Sequence, residues 1–224
     1  MKTVVLAGNA VAASLIAAFM RGDARYRIVA ATADDAYAEG SQIEPIPTVP
    51  LSRLAETHPP GEVAIVMAMG YGDLNRSRES LFDRLKAQGY AIETYLHPSA
   101  HIHTTEPIGE GSVVLPGAVV EPFARVGRDT VVWCNVTVAH HSVVADHCWI
   151  AAGAVISGDA SVGRNSFVGL NATILNRVAV GEFSIVGASA LVSRTTKPAS
   201  VHVGKGDDPI ALDSHGYVKR FGFR

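Results

Sequence analysis

From Ile102 to Val192 a β-branched aliphatic residue recurs at every sixth position: Ile102, Ile108, Val114, Val120, Val126, Val132, Val138, Val144, Ile150, Ile156, Val162, Val168, Ile174, Val180, Val186 and Val192. The run keeps one phase without an insertion, and Leu96 extends it backwards. Two positions before each aliphatic the side chain is usually small, as in Ala118, Ala124, Ser142, Ala154, Ala160, Ala172 and Ala190. This is the hexapeptide repeat of a β-helix, in which three hexads close one triangular coil. The aliphatic points into the prism and the small residue packs near a corner. Coils stack at the ordinary inter-strand spacing of about 4.8 Å. The hexads present make a little over five coils.

Ahead of the repeat, residues 1 to about 97 alternate strand and helix patterns. An apolar strand over Thr3–Ala7 leads through Gly8-Asn9 into a helix over Ala10–Met20, and a second strand, Tyr26–Thr32, ends just before Asp34-Asp35. A Pro-containing loop and a short helical stretch around Leu51–Glu56 precede an apolar strand, Val63–Met69. An amphipathic helix then runs from about Asn75 to Gln88, with Gly89 as its stop. Strands alternating with helices predict a parallel sheet with crossovers. The expected organisation is a small α/β Rossmann-like domain over 1–97, the β-helix over 98–194 and a carboxy-terminal cap over 195–224.

Composition narrows the class. Hydrophobic residues make up 48% and charged residues 18%, which excludes a disordered chain. Nineteen Lys and Arg against twenty-one Asp and Glu leave no basic excess for nucleic acid or an anionic membrane. Two cysteines, neither in a CxxC, cannot form a disulfide framework, so a reducing cytoplasm is expected. The apolar stretch before Met20 resembles a short signal peptide, but Gly8-Asn9 splits it into a strand and a helix. No run reaches the length of a membrane-spanning helix.

Three stretches go beyond the repeat: Met69-Gly70-Tyr71-Gly72-Asp73-Leu74-Asn75, the junction Tyr95-Leu96-His97-Pro98-Ser99-Ala100, and the coil from Val138 through His140-His141 to His147. With the hexads, they resemble the left-handed β-helix acyltransferases over nearly the full length. The branch is the bacterial nucleotide-sugar acetyltransferases of the sialic acid O-acetyltransferase and bacillosamine N-acetyltransferase type. The resemblance implies a left-handed parallel β-helix of about five coils behind a nucleotide-sugar domain. It also implies acetyl-CoA as co-substrate, a nucleotide-linked deoxy amino sugar as acceptor, and a role in surface polysaccharide synthesis such as that of lipopolysaccharide. A homotrimer is implied, with coenzyme A in the grooves between subunits.

Acyl transfer needs a base, and a histidine titrates in the right range. His140 and His141 follow the inward Val138 at a corner, and His140 occupies the position of the catalytic histidine in the resembling enzymes. Residues one coil apart stack, so His140 is expected over Gly158 and His141 over Asp159. A glycine beside the base leaves room and an exposed N–H for the thioester oxygen. The resembling enzymes often place a carboxylate directly after the catalytic histidine. Here that position is His141, so Asp159 or Asp146 is expected to orient the imidazole.

By the same resemblance, Trp149, Gly158, Leu170 and Ala188 contact coenzyme A. Arg194, Lys197 and Lys205 are candidate phosphate partners, and Val203-Gly204-Lys205-Gly206-Asp207-Asp208 replaces the terminal Val-Gly-x-Pro-Ala-Lys stretch. In the first domain, Asp34 and Asp35 match the nucleotide contacts. The first turn has a single glycine, so the diphosphate is expected to lean on Asn9, Asn75 or Arg76.

Three rival readings stand beside this one. The acceptor could be a sugar hydroxyl or an amino acid such as serine. His140, His141 and His147 invite comparison with the zinc-dependent gamma-type carbonic anhydrases, but His141 and His147 are six apart and point from different faces. No metal is therefore expected. A non-catalytic β-helix subunit predicts no thioester turnover.

Overall fold

The computed structural model describes residues 1–39, 43, 45–206 and 219–220. Five parallel strands form the amino-terminal sheet: β1 (Lys2–Ala7), β2 (Tyr26–Ala33), β3 (Thr48–Pro50), β4 (Ala64–Met67) and β5 (Ala91–Glu93), in the order β3-β2-β1-β4-β5. The edge strands β3 and β5 are three residues each, too short for alternation to announce them. Side chains alternate across β1. Val4 and Leu6 pack with helix α1 (Val11–Met20), while Val5 and Ala7 pack with α2 (Leu54–Thr57) and α3 (Arg76–Ala87).

From Tyr95 onward the chain winds as a left-handed parallel β-helix with three faces. Face I is built from Tyr95–Leu96, Val113–Val114, Val131–Val132, Trp149–Ile150, Phe167–Val168, Ile185–Val186 and Val201–His202. Face II runs from His101–Ile102 to Leu191–Val192, and face III from Arg125–Val126 to Ala179–Val180. Neighbouring rungs pair eighteen residues apart, as in Val113↔Val131, Thr137↔Val155 and Val143↔Ser161. The inward aliphatics and the small residues before them share one continuous core. The last pairing, Ile185↔Val201, is two residues shorter, so the stack gains a final rung after the hexad rhythm stops.

The three faces differ in what covers them. Face I turns Tyr95, Val113, Val131 and Trp149 outward, and all four are buried. Tyr95, Val113 and Leu115 share a core with Ala13, Ile16 and Ala17 of α1, so this face is the floor on which the α/β domain sits.

Helix α3 then lies along the corner between faces III and I. Lys86 pairs with Glu110 at 2.6 Å, Arg78 with Asp129 at 3.1 Å, Glu79 with Arg164 at 2.5 Å, and Arg76 lies 4.9 Å from the Phe183 ring centre. Twelve helical residues span about 18 Å, which matches the roughly 19 Å of four coil spacings between the ends of that column.

Candidate active site

At the corner between faces II and III, successive coils place Pro122-Phe123, His140-His141 and Gly158-Asp159 in one column, with the second member of each pair at positive φ. The backbones are tied vertically: Asp159 N–H donates to the His140 carbonyl at 3.1 Å, and His141 N–H to that of Pro122 at 3.4 Å. The His140 imidazole covers Gly158 so closely that a Cβ there would lie 2.5 Å from Cε1 and 2.6 Å from Nε2. Among the described residues the Gly158 N–H donates to no protein acceptor. The N–H of His140 itself is bonded by Glu121 Oε2 at 2.8 Å. His140 is exposed and Gly158 beneath it is buried; an imidazole edge and an unused N–H at one corner are the parts of a base and an oxyanion donor.

The second feature is a cleft of about 670 Å³ at the carboxyl ends of β1, β2 and β4. These strands flank the point where the strand order reverses, the usual ligand crevice of an open α/β sheet. Gly8 forms its floor. A Cβ there would lie 2.6 Å from the Ala68 carbonyl oxygen, and its φ of +132° suits glycine alone.

Asn9, Asp34 and Arg76 line the cleft. Asn9 Nδ2 donates to the Tyr37 carbonyl, and Asp34 receives Arg84 in a bidentate pair at 2.6 and 3.1 Å. Asp35 lies in an adjoining depression, where the Ser52 hydroxyl at 2.6 Å and N–H at 3.2 Å hold its carboxyl below the usual range.

Several expected roles do not survive. Asn75 is fully buried; it donates to the Ser166 carbonyl at 3.3 Å and accepts from Arg78 at 3.0 Å, so it joins the domains and cannot meet a diphosphate. Trp149 is 5% exposed and packs against Tyr71 and Trp133, at 5.1 and 5.4 Å between ring centres. The α/β domain covers it, which removes it from a coenzyme surface. Asp146 belongs to the corner between faces III and I, where Arg128 holds it through N–H, Nε and Nη2; it is not beside His140.

Asp159 does stack in the column with His141 but is exposed and hydrogen-bonds neither imidazole. Leu170 and Ala188 are exposed, one above the other, at the corner between faces I and II. His147 is buried at the corner between faces III and I, with Nδ1 2.9 Å from Asp129, so it does not converge with His140 and His141. Asp207 and Asp208 lie outside the described residues.

Sequence reading missed Arg84, Ser80, Glu121 and Phe123. The signal for the first two was present: Arg76, Ser80 and Arg84 are four apart on α3 and therefore share one stripe, the one that faces the cleft. Nothing local marks Glu121, which acts nineteen residues away.

No protein-family model matches the chain, and no curated protein matches it. Solved structures do. A variant of perosamine N-acetyltransferase from Caulobacter crescentus, in complex with CoA and GDP-perosamine, is 22% identical with a TM-score of 0.81, over 92% of this chain and 98% of that one. The acetyltransferase domain of PglB from Neisseria gonorrhoeae is 23% identical with a TM-score of 0.78, over 94% and 100%. WeeI from Acinetobacter baumannii is 20% identical with a TM-score of 0.79, over 91% and 97%. At these identities what is shared is the fold: an α/β domain followed by a left-handed β-helix.

Proposed function

We propose that the protein is an acetyl-CoA-dependent N-acetyltransferase acting on the amino group of a nucleotide-linked deoxysugar. The observation that carries this reading is the exposed His140 imidazole lying against Gly158, whose N–H is unused. The reading is supported by the fold shared with a perosamine N-acetyltransferase in complex with CoA and GDP-perosamine.

In the mechanism, the acceptor amine attacks the thioester carbonyl carbon while His140 Nε2 takes its proton. The Gly158 N–H donates to the oxygen as it becomes negative. The C–S bond then breaks, and the coenzyme thiolate takes the proton from His140 and leaves as the free thiol, returning His140 to its neutral form. In the cleft, Arg76 offsets the charge of the diphosphate, and the Asp34–Arg84 pair presents a fixed carboxylate to the nucleoside.

Within one chain these parts are separated. Arg76 lies over Phe183 at the corner between faces III and I, His140 is one corner away, and Leu170 and Ala188 are at the third. A homotrimer brings different corners of adjacent prisms together, closes the coenzyme groove, and leaves no open edge. The product is an N-acetylated nucleotide sugar made in the cytoplasm for a surface polysaccharide.

The test is thiol release from acetyl-CoA with a panel of amino-sugar nucleotides and their hydroxyl counterparts. Release with the amino sugars alone supports the reading. Release only with hydroxyl acceptors makes the protein an O-acetyltransferase, and none with any acceptor removes the catalytic role.

A further inference from the structure

We propose that His141 is the positioning residue that orients His140, a neutral imidazole acceptor where a carboxylate would otherwise serve. The inference rests on the acetyl-transfer reading of His140. The two Nδ1 atoms are 3.2 Å apart, with the rings nearly perpendicular at 82°. Two imidazole nitrogens can share a hydrogen bond only when one carries a hydrogen and the other does not. If His141 donated, His140 would hold its hydrogen on Nε2 and could not act as a base there. If His140 donates from Nδ1, its Nε2 lone pair is free on the edge that lies over Gly158. Only the second arrangement fits the chemistry.

It also needs no rearrangement during turnover. His140 begins with one hydrogen, on Nδ1, and gains the acceptor's proton on Nε2. The Nδ1–H···Nδ1 bond to His141 persists throughout and becomes charge-assisted while His140 is an imidazolium. His141 keeps its own single hydrogen on Nε2, facing away from the bond.

The surroundings hold His141 in place and leave it without a competitor. Its ring lies against Phe123, 4.8 Å between centres with a 30° tilt, and its N–H reaches the Pro122 carbonyl. Glu121 Oε2 accepts from the backbone N–H of His140 and bonds to neither imidazole. Asp159, one coil along, bonds to neither ring. Among the described residues, His141 is the only group hydrogen-bonded to the His140 imidazole.

The test compares His141→Phe, which keeps a ring against Phe123 but has no acceptor, with His141→Glu, which restores one. We expect His141→Phe to lower kcat at least tenfold with the KM for acetyl-CoA unchanged, a smaller loss than the roughly 10⁴-fold seen when a protease triad loses its orienting group. His141→Glu should recover most of that loss. Nitrogen-15 NMR of the wild-type protein, assigned with His140→Asn, should show His140 carrying its hydrogen on Nδ1, and His141→Phe should release it into a mixture of tautomers. A wild-type His140 with its hydrogen on Nε2, or a His141→Phe variant with full kcat, would overturn the proposal. The NMR reads the pair without any acceptor, so a wrong acetyl-transfer reading shows as absent turnover with the tautomer intact.

Discussion

Arg78 of helix α3 and Asp129 of the β-helix form an ion pair at 3.1 Å in which neither side chain reaches solvent. The guanidinium also donates to Asn75 Oδ1 and to the carbonyls of Asp129 and Cys148, while the other Asp129 oxygen bonds His147 Nδ1 at 2.9 Å. One stripe of α3 thus anchors the helix to the prism, and another stripe lines the cleft. A charge pair buried between the cleft and the β-helix therefore helps to fix one against the other.

Removing one partner of such a pair leaves the other charged and desolvated. Asp129→Ala should destabilise the protein by about 3–5 kcal/mol, read as a lower urea midpoint. Substituting both residues with apolar ones of similar volume should cost much less.

Gly158→Ala tests the packing of the proposed base. The added Cβ meets the end of an exposed side chain, not backbone, so His140 swings aside and the fold persists. A displacement near 1 Å at a reacting group costs about 10² in rate. The melting temperature should therefore hardly move while kcat falls by that order, and an unchanged kcat would place the chemistry elsewhere.

His140→Asn should lower kcat by about 10²–10⁴, the usual worth of general-base catalysis. Sedimentation and melting should match wild type, because the side chain lies outside the core.

Asp34→Ala frees Arg84 and removes a carboxylate from the cleft. The KM for the nucleotide-sugar acceptor should rise while that for acetyl-CoA stays constant. Equal changes in both would mean that Asp34 serves the fold alone.

Cys148 gives a pH test of the core. Burial pushes its thiol up to about 12 from an ordinary 9.0, and burial likewise pushes the Tyr95 hydroxyl up to about 12. Both groups bind their protons more tightly when folded. Their contribution is whole below the unfolded-state values and is lost as pH rises through the folded ones. Urea midpoints should fall between about pH 9 and about pH 12, less steeply in Cys148→Ala. In the native protein, a thiol reagent at neutral pH should leave Cys148 unmodified until unfolding.

The β-helix was legible because each face admits one aliphatic into a narrow prism, so the core is written as a strict local period from Ile102 to Val192. The stacking of His140 on Gly158 follows from the same arithmetic, since a coil without insertions fixes which residues are vertical neighbours. A second signal was also present. The residue before the inward aliphatic is apolar in every third hexad, at Tyr95, Val113, Val131, Trp149, Phe167 and Ile185, and that marks face I as covered. It would have removed Trp149 from the coenzyme site.

The partners of Arg78, Asn75 and Arg84 were not legible. Their contacts join residues 50 to 91 positions apart and depend on how α3 lies along a corner of the prism. That placement goes with the packing of α1 on face I and the buried Arg78–Asp129 pair, long-range features that no local period records. The same holds for His141. The sequence supplies two adjacent histidines, but only the left-handed corner turn, with Phe123 beneath it, aims one Nδ1 at the other.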